Sequence, residues 1–433
     1  MSSSGLSYEQ APPFGAPLRF FLVAPVFLLL AAVLAMFLPD WQHNRWSPAT
    51  LALTHLVTLG YLAMIMLGAL LQILPVVLGA PVPQVRRVAW IGLLGLGLGT
   101  LALASGFLLS DPFLLQAAML LLVAGLAPVL IAILFSLTRT TAPQIAWPIR
   151  QAILALAVTL ALGILLAGGL GGIWSSDGIG GNYSTSELTD RHAAWGLIGW
   201  VLILVIGVAY QVVPMLQLTP PYPIRLSRWL TWIVFAGLLL YTVPAAWNHR
   251  LALAGSGLIG LGGIAFAVAT LRLQAQRRRK ISDITLDFWR LGMACLLLAT
   301  VLASLLAALP LPDVWQEALQ IELGMIFLLG FAHSVVSGML YKIVPFLAWF
   351  HLKTQTGARV GSIPNMKELL PEPLARQHYR LHLTMLLLLL PAPFLPTLVA
   401  IPGLVLLAAG AIRLWLNLRH TQQLFLRHGG RLD

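Results

Sequence analysis

The sequence predicts an all-α integral membrane protein, with twelve transmembrane helices in three four-helix units around a pseudo-threefold axis. Three observations carry this expectation. Hydrophobic residues make up 59% of the 433 and charged residues only 9%, against roughly a quarter charged in a soluble domain. No water-soluble fold hides that much apolar surface. The apolar segments are long and uninterrupted, unlike the alternation of a β-barrel, and helices satisfy their own backbone in lipid. Finally, one stretch recurs. Residues 54–75, THLVTLGYLAMIMLGALLQILP, end in a frame of Gly68, Gln72 and Pro75, which returns as Gly207, Gln211 and Pro214 and again as Gly338, Lys342 and Pro345. The prolines stand 139 and 131 residues apart. A period of that size means three copies of a larger unit.

At about 20 residues per span, the apolar segments fall at residues 20–38, 50–76, 88–109, 114–137, 151–174, 193–216, 229–246, 252–271, 289–309, 319–341, 381–399 and 402–418. Twelve spans over three repeats give four helices per unit, with the proline-marked helix second in each: spans 2, 6 and 10. One membrane domain, 20–418, then contains units at about 20–137, 151–271 and 289–418, flanked by cytoplasmic tails at 1–19 and 419–433. Most connections are short, which makes sequential helices antiparallel neighbours. Two are long. Residues 175–191 form a polar, Gly-rich outer loop ahead of span 6. Residues 346–380 form the longest cytoplasmic loop, broken into short pieces by Pro364, Pro371 and Pro373.

The net charge of +12 invites a nucleic-acid reading, and the placement of the charges rejects it. With the N-terminus in the cytoplasm, only Arg45, Arg191 and Arg250 of the 26 Lys and Arg lie outside. The other basic residues lie inside, including the run Arg277, Arg278, Arg279 and Lys280. This is the positive-inside rule, and the run reads as a topology anchor near anionic lipid. The expected location is a bacterial inner membrane, multi-pass, with both termini cytoplasmic and lipid as the surrounding partner. Cys295 is the one cysteine, so neither a disulfide framework nor a Cys-based metal site is expected. The glycines between Gly95 and Gly99 lie inside span 3 with no strand before them, and read as a close-packing surface.

Ionisable residues inside the membrane are functional candidates because placing them there is costly. His55 is in span 2, His192 opens span 6, and Glu322, His333 and Lys342 are in span 10. Glu322 lies within a turn of the outer boundary, in reach of water, and Lys342 can snorkel to the cytoplasmic surface. The three repeat helices run outside to inside, so their prolines mark depth. His55 precedes its proline by 20 residues and His192 by 22. His333 precedes Pro345 by only 12, and the residue 20 before Pro345 is Met325. At about 1.5 Å per residue, His333 lies about 12 Å deeper than His55.

This plan resembles subunit I of the heme–copper oxidase superfamily, which has three units, twelve helices and histidines on spans 2, 6 and 10. The local likeness is to the cbb3-type cytochrome oxidase catalytic subunit and the nitric oxide reductase large subunit. It rests on His192-Ala-Ala-Trp-Gly-Leu-Ile-Gly through Pro214, on Pro220-Pro221-Tyr222-Pro and Arg225-Leu-Ser, and on Gly338-Met-Leu-Tyr through Pro345. The likeness covers most of the chain in layout but only these short stretches in residues. In that family the second helix supplies an axial ligand of a low-spin heme, the tenth supplies two histidines, and the sixth and seventh supply three copper ligands. By position, His55 matches the low-spin heme ligand, and His192 matches the copper ligand of helix 6 two residues out of register. Met325 stands in place of the low-spin histidine on helix 10. Span 7 has no histidine pair, and His249 follows it alone.

A copper centre needs several converging nitrogens, so copper and the family's oxygen or nitric oxide reduction are not expected. What the resemblance implies is one heme b, for electron transfer or diatomic-gas sensing. Its ligands would be His55 and Met325, an imidazole–thioether pair known in cytochromes. A periplasmic cytochrome or other respiratory subunits would be its partners. His192 and His333 are further metal-ligand candidates. The plainer readings stand beside these: Met325 as a gap-filling core residue, His192 as a boundary residue, and His333 as a hydrogen-bonding group between helices. At the level of function, the alternatives are a cofactor-free permease and an assembly or accessory protein of a respiratory complex.

Overall fold

The computed structural model describes residues 8–140, 143–174, 184–243, 248–278, 283–357 and 363–433. Among these residues there is no strand, and there are twelve long helices. The first six are α1 (Gly15–Phe37), α2 (Pro48–Leu78), α3 (Val85–Leu109), α4 (Pro112–Leu137), α5 (Pro143–Leu170) and α6 (Thr185–Gln217). The second six are α7 (Ile224–Thr242), α8 (His249–Ala275), α9 (Ile284–Ala308), α10 (Asp313–Thr356), α11 (Glu372–Leu389) and α12 (Thr397–Arg427). Eleven are long and apolar enough to cross a membrane. The chain is a multi-pass α-helical membrane protein. The remaining one, α11, carries Glu372, Arg376 and Arg380 in its first half.

The starts follow from local chemistry. Ser47 caps α2 with Pro48 in the first turn, and Asp111 caps α4 with Pro112 behind it. Proline fits there because its missing N–H has no intrahelical partner anyway. Asn248 and Asp283 cap α8 and α9, and Ser184 with Glu187 forms a capping box ahead of α6.

Three expected boundaries fail for one reason: proline starts or interrupts a helix without ending it. Pro345 lies inside α10, which runs on to Thr356. Pro373 sits in the first turn of α11, which begins at Glu372 and not at 381. The expected loop 346–380 is therefore helical at both ends. Residues 11–18 are not a loose tail either. Phe14 is fully buried against His351 and Phe425, and Gly15 N–H donates to Leu432 O at 2.9 Å. Of the outer loop, residues 175–183 lie outside the described residues, as do Arg279 and Lys280 of the basic run.

Helices α2, α6 and α10 form the interior. Their most apolar stretches are 89%, 67% and 83% buried, and no other span exceeds 50%. The hairpins α3–α4, α7–α8 and α11–α12 are extensively packed, as is α12 against α1. Each hairpin then leads on, α4 to α5, α8 to α9 and α12 to α1, so the helices close into a ring.

The inner helices share more than burial. Each contains eight residues of π-helix: Leu56–Ala63, Trp195–Leu202 and Ile326–His333. In all three the segment begins 19 and ends 12 residues before the proline. Each also carries glycines 15 and 7 residues before the proline, and these face the preceding helix. A Cβ at Gly60 would lie 2.3 Å from Phe27 of α1, at Gly199 2.6 Å from Ala155 of α5, and at Gly330 2.8 Å from Cys295 of α9. One turn of the pattern later, Gly68, Gly207 and Gly338 meet Phe20, Pro148 and Phe288 at 2.8, 2.4 and 2.8 Å. Small residues at such contacts let helix backbones approach in a membrane, where packing replaces the hydrophobic effect.

Candidate functional site

Two groups of polar side chains occupy the interior. The first joins α2 and α6 near their N-terminal ends. His55 is the last residue before the π-helical segment of α2, and π-helical turns recur at functional sites. Its Nδ1 lies 2.8 Å from Leu51 O, one turn back. His192 lies on the first part of α6, with Nδ1 3.0 Å from Thr159 O of α5. A carbonyl only accepts, so each Nδ1 carries the proton and donates. Each Nε2 is then a lone pair, the form in which a neutral imidazole binds metal. The outward hydrogen bond also fixes the ring. The two ring centres stand 6.1 Å apart with planes 27° from parallel. Phe107 of α3 packs on His55 at 5.4 Å, and a Cβ at Gly163 would sit 3.1 Å from His192 Cε1, so the ring needs that glycine. Between the helix starts, Arg45 and Asp190 pair at 2.9 Å.

The expected partner of His55, Met325, is the residue just before the π-helical segment of α10 and is partly buried against the core. The structure sets the ring of His192 beside His55, while Met325 shares only its level. Glu322, expected to reach water, is instead buried with Oε2 unpartnered, because the segment Ala392–Phe394 packs on the outer end of α10. Lys342 pairs with Asp283 at 2.5 Å.

The second group is deeper and lies among α2, α10, α11 and α12. His333 Nδ1 and Tyr61 Oη are 2.7 Å apart, and Tyr61 Oη is 3.0 Å from Ser337 Oγ. His333 thus bonds a neighbouring helix, not a residue at the level of His55. Ser334 Oγ meets His382 Nε2 at 2.7 Å. Asn417 Nδ2 donates to Tyr341 Oη at 3.0 Å, which leaves the Tyr341 hydroxyl hydrogen for His378 Nδ1 at 2.8 Å. His378 therefore carries its own proton on Nε2, which has no partner, and neither has His382 Nδ1. The rings of His333 and His382 are 4.6 Å apart, and those of His333 and His378 5.9 Å. Among the described residues no three His, Cys, Asp or Glu side chains are grouped to hold a metal ion. This cluster is a hydrogen-bond network.

His378 and His382 escape a hydropathy reading because their polar first turns look like loop. Their spacing of four was the available signal, since it puts both imidazoles on one helix face.

The fold and these sites define a multi-pass α-helical membrane protein with buried imidazoles inside its helix ring. No protein-family model matches the chain, and no curated protein matches it.

Proposed function

We propose that this chain is a heme–copper-oxidase-like membrane protein that holds one heme b, without a copper centre, for electron transfer or diatomic-gas sensing. The observation that carries it is the His55–His192 pair. Two imidazole lone pairs side by side in a membrane have no donor between them and call for an electrophile. A metal–imidazole bond of about 2 Å puts the centres of two rings on opposite sides of one metal about 6.3 Å apart. The observed distance is 6.1 Å. The donor set therefore fits iron with two axial imidazoles, His192 taking the place first given to Met325. Bound there, a heme would supply one-electron chemistry or a site for a diatomic ligand. The protein's part is to fix both rings through Leu51 and Thr159 and to keep Nε2 unprotonated.

The repeated π-helical segments, the paired glycines and the closed ring support three four-helix units around a pseudo-threefold axis. The basic residues support cytoplasmic termini in a bacterial inner membrane, with a periplasmic cytochrome or other respiratory subunits as partners.

The test is an absorbance spectrum of purified protein, oxidised and dithionite-reduced, after expression with ample heme. A reduced b-type spectrum lost in both His55→Ala and His192→Ala is expected. One copper per chain lost in His192→Ala would instead mark that residue as a copper ligand. Colourless wild-type protein would sink the reading. The cofactor-free permease would then take its place, favoured by the deep histidine network, or an accessory role shown by co-purification with respiratory subunits.

A further inference from the structure

An enclosed apolar cavity of about 70 Å³ lies between α2, α6 and α10, deeper than the His55–His192 pair. Its wall follows the repeat residue for residue. Ile65, Leu204 and Val335 line it, each 10 residues before its proline. Ala69, Val208 and Met339 follow at 6 residues before, and Ile73, Val212 and Ile343 at 2. Phe21 of α1 and Trp289 of α9 complete the wall. The void sits where three helices present the same face to one another, so it belongs to the plan of the interior and is not a local packing fault.

We infer that this cavity binds one small apolar gas molecule. Its contents are constrained from three sides. Water needs two to four polar partners and about 30 Å³ of its own. The only polar side-chain group in the wall is the indole N–H of Trp289, which is buried and without a partner. One donor does not hold a water. A lipid tail or quinone needs a far longer space than 70 Å³. A single xenon or diatomic gas fits, as apolar cavities of this kind stay dry and take up xenon. Such gases dissolve in lipid and reach the site from the bilayer. The lone N–H of Trp289 gives the wall one weak donor, which a diatomic can accept. Nothing in this depends on iron, and the site is tested equally on heme-free protein.

The experiment is xenon binding to the full chain in detergent or nanodiscs. It is read as a saturable ¹²⁹Xe exchange signal and as a xenon peak on the axis of a pressurised crystal. Wild type is expected to bind one xenon at the axis. Ala69→Phe, which places a ring in the void, should cut occupancy at least tenfold, while Met339→Leu, close in volume, should keep it. Each variant is first checked for a single monodisperse species and near-native thermal unfolding; if Ala69→Phe fails there, Val208→Phe replaces it. An empty axis in wild type, or undiminished xenon in a folded Phe variant, overturns the assignment.

Discussion

The imidazole Nδ1 of His333 and the hydroxyl of Tyr61, 272 residues apart in the chain, meet at 2.7 Å. The contact joins the π-helical segments of α2 and α10, which pack directly on each other. Tyr61 Oη also serves Ser337, so one oxygen satisfies two buried groups.

Tyr61→Phe therefore strands both His333 and Ser337. Leaving buried polar groups unpaired costs about 1–3 kcal/mol, and thermal unfolding in detergent should fall accordingly. Adding His333→Leu removes one stranded partner, and the double variant should recover part of the loss. If Tyr61→Phe unfolds with the wild type, the hydroxyl does not hold these helices together.

The glycine contacts make a sharper test. Gly207→Val sets a side chain against Pro148, where even a Cβ would lie 2.4 Å away. Overpacking of this kind costs about 1–3 kcal/mol. Gly257 on α8 has nothing within 4 Å of its Cβ position. There Gly257→Ala should be neutral or stabilising by about 0.5–1 kcal/mol through backbone entropy. Equal effects at the two positions would show that helix propensity, not close approach, explains the glycines.

The second axial ligand is separable by spectrum. His192→Ala should abolish low-spin heme absorption, while Met325→Leu and His333→Ala should leave it near native. A spectrum kept in His192→Ala and lost in Met325→Leu would return the thioether to the role that its level on α10 suggests.

Orientation is open to chemical labelling. A cysteine at Asp313, ahead of the outer end of α10, should react with an impermeant reagent from the periplasmic side. One at Arg278 should react only after the membrane is opened. Labelling of Arg278 from outside would invert every depth in the molecule.

The inner helices were readable in the sequence because a proline and a glycine recur at fixed spacing, and those residues do the packing at Phe20, Pro148 and Phe288. The π-helical turns were not readable. One extra residue per turn leaves no trace in composition, and it changes which residues of α2 and α10 face each other. The α11 boundary was misread because Pro371, Pro373, Arg376 and Arg380 look like loop, although Pro373 opens a helix and Arg376 is held by Asp287 and Glu372. With it went His378 and His382. The approach of His192 to His55 was also out of reach, since two residues of register hide a shared level when the helices differ in local pitch.

The clasp between chain ends has a consequence for synthesis. The seams α4–α5 and α8–α9 join helices that leave the ribosome consecutively, but α1 waits for α12. Gly15 finds Leu432 O, and Arg19 finds Asp433 at 3.3 Å, only when the last residues exist. Until then α1 has one flank bare to lipid, and a chain stopped a few residues short is released without its latch.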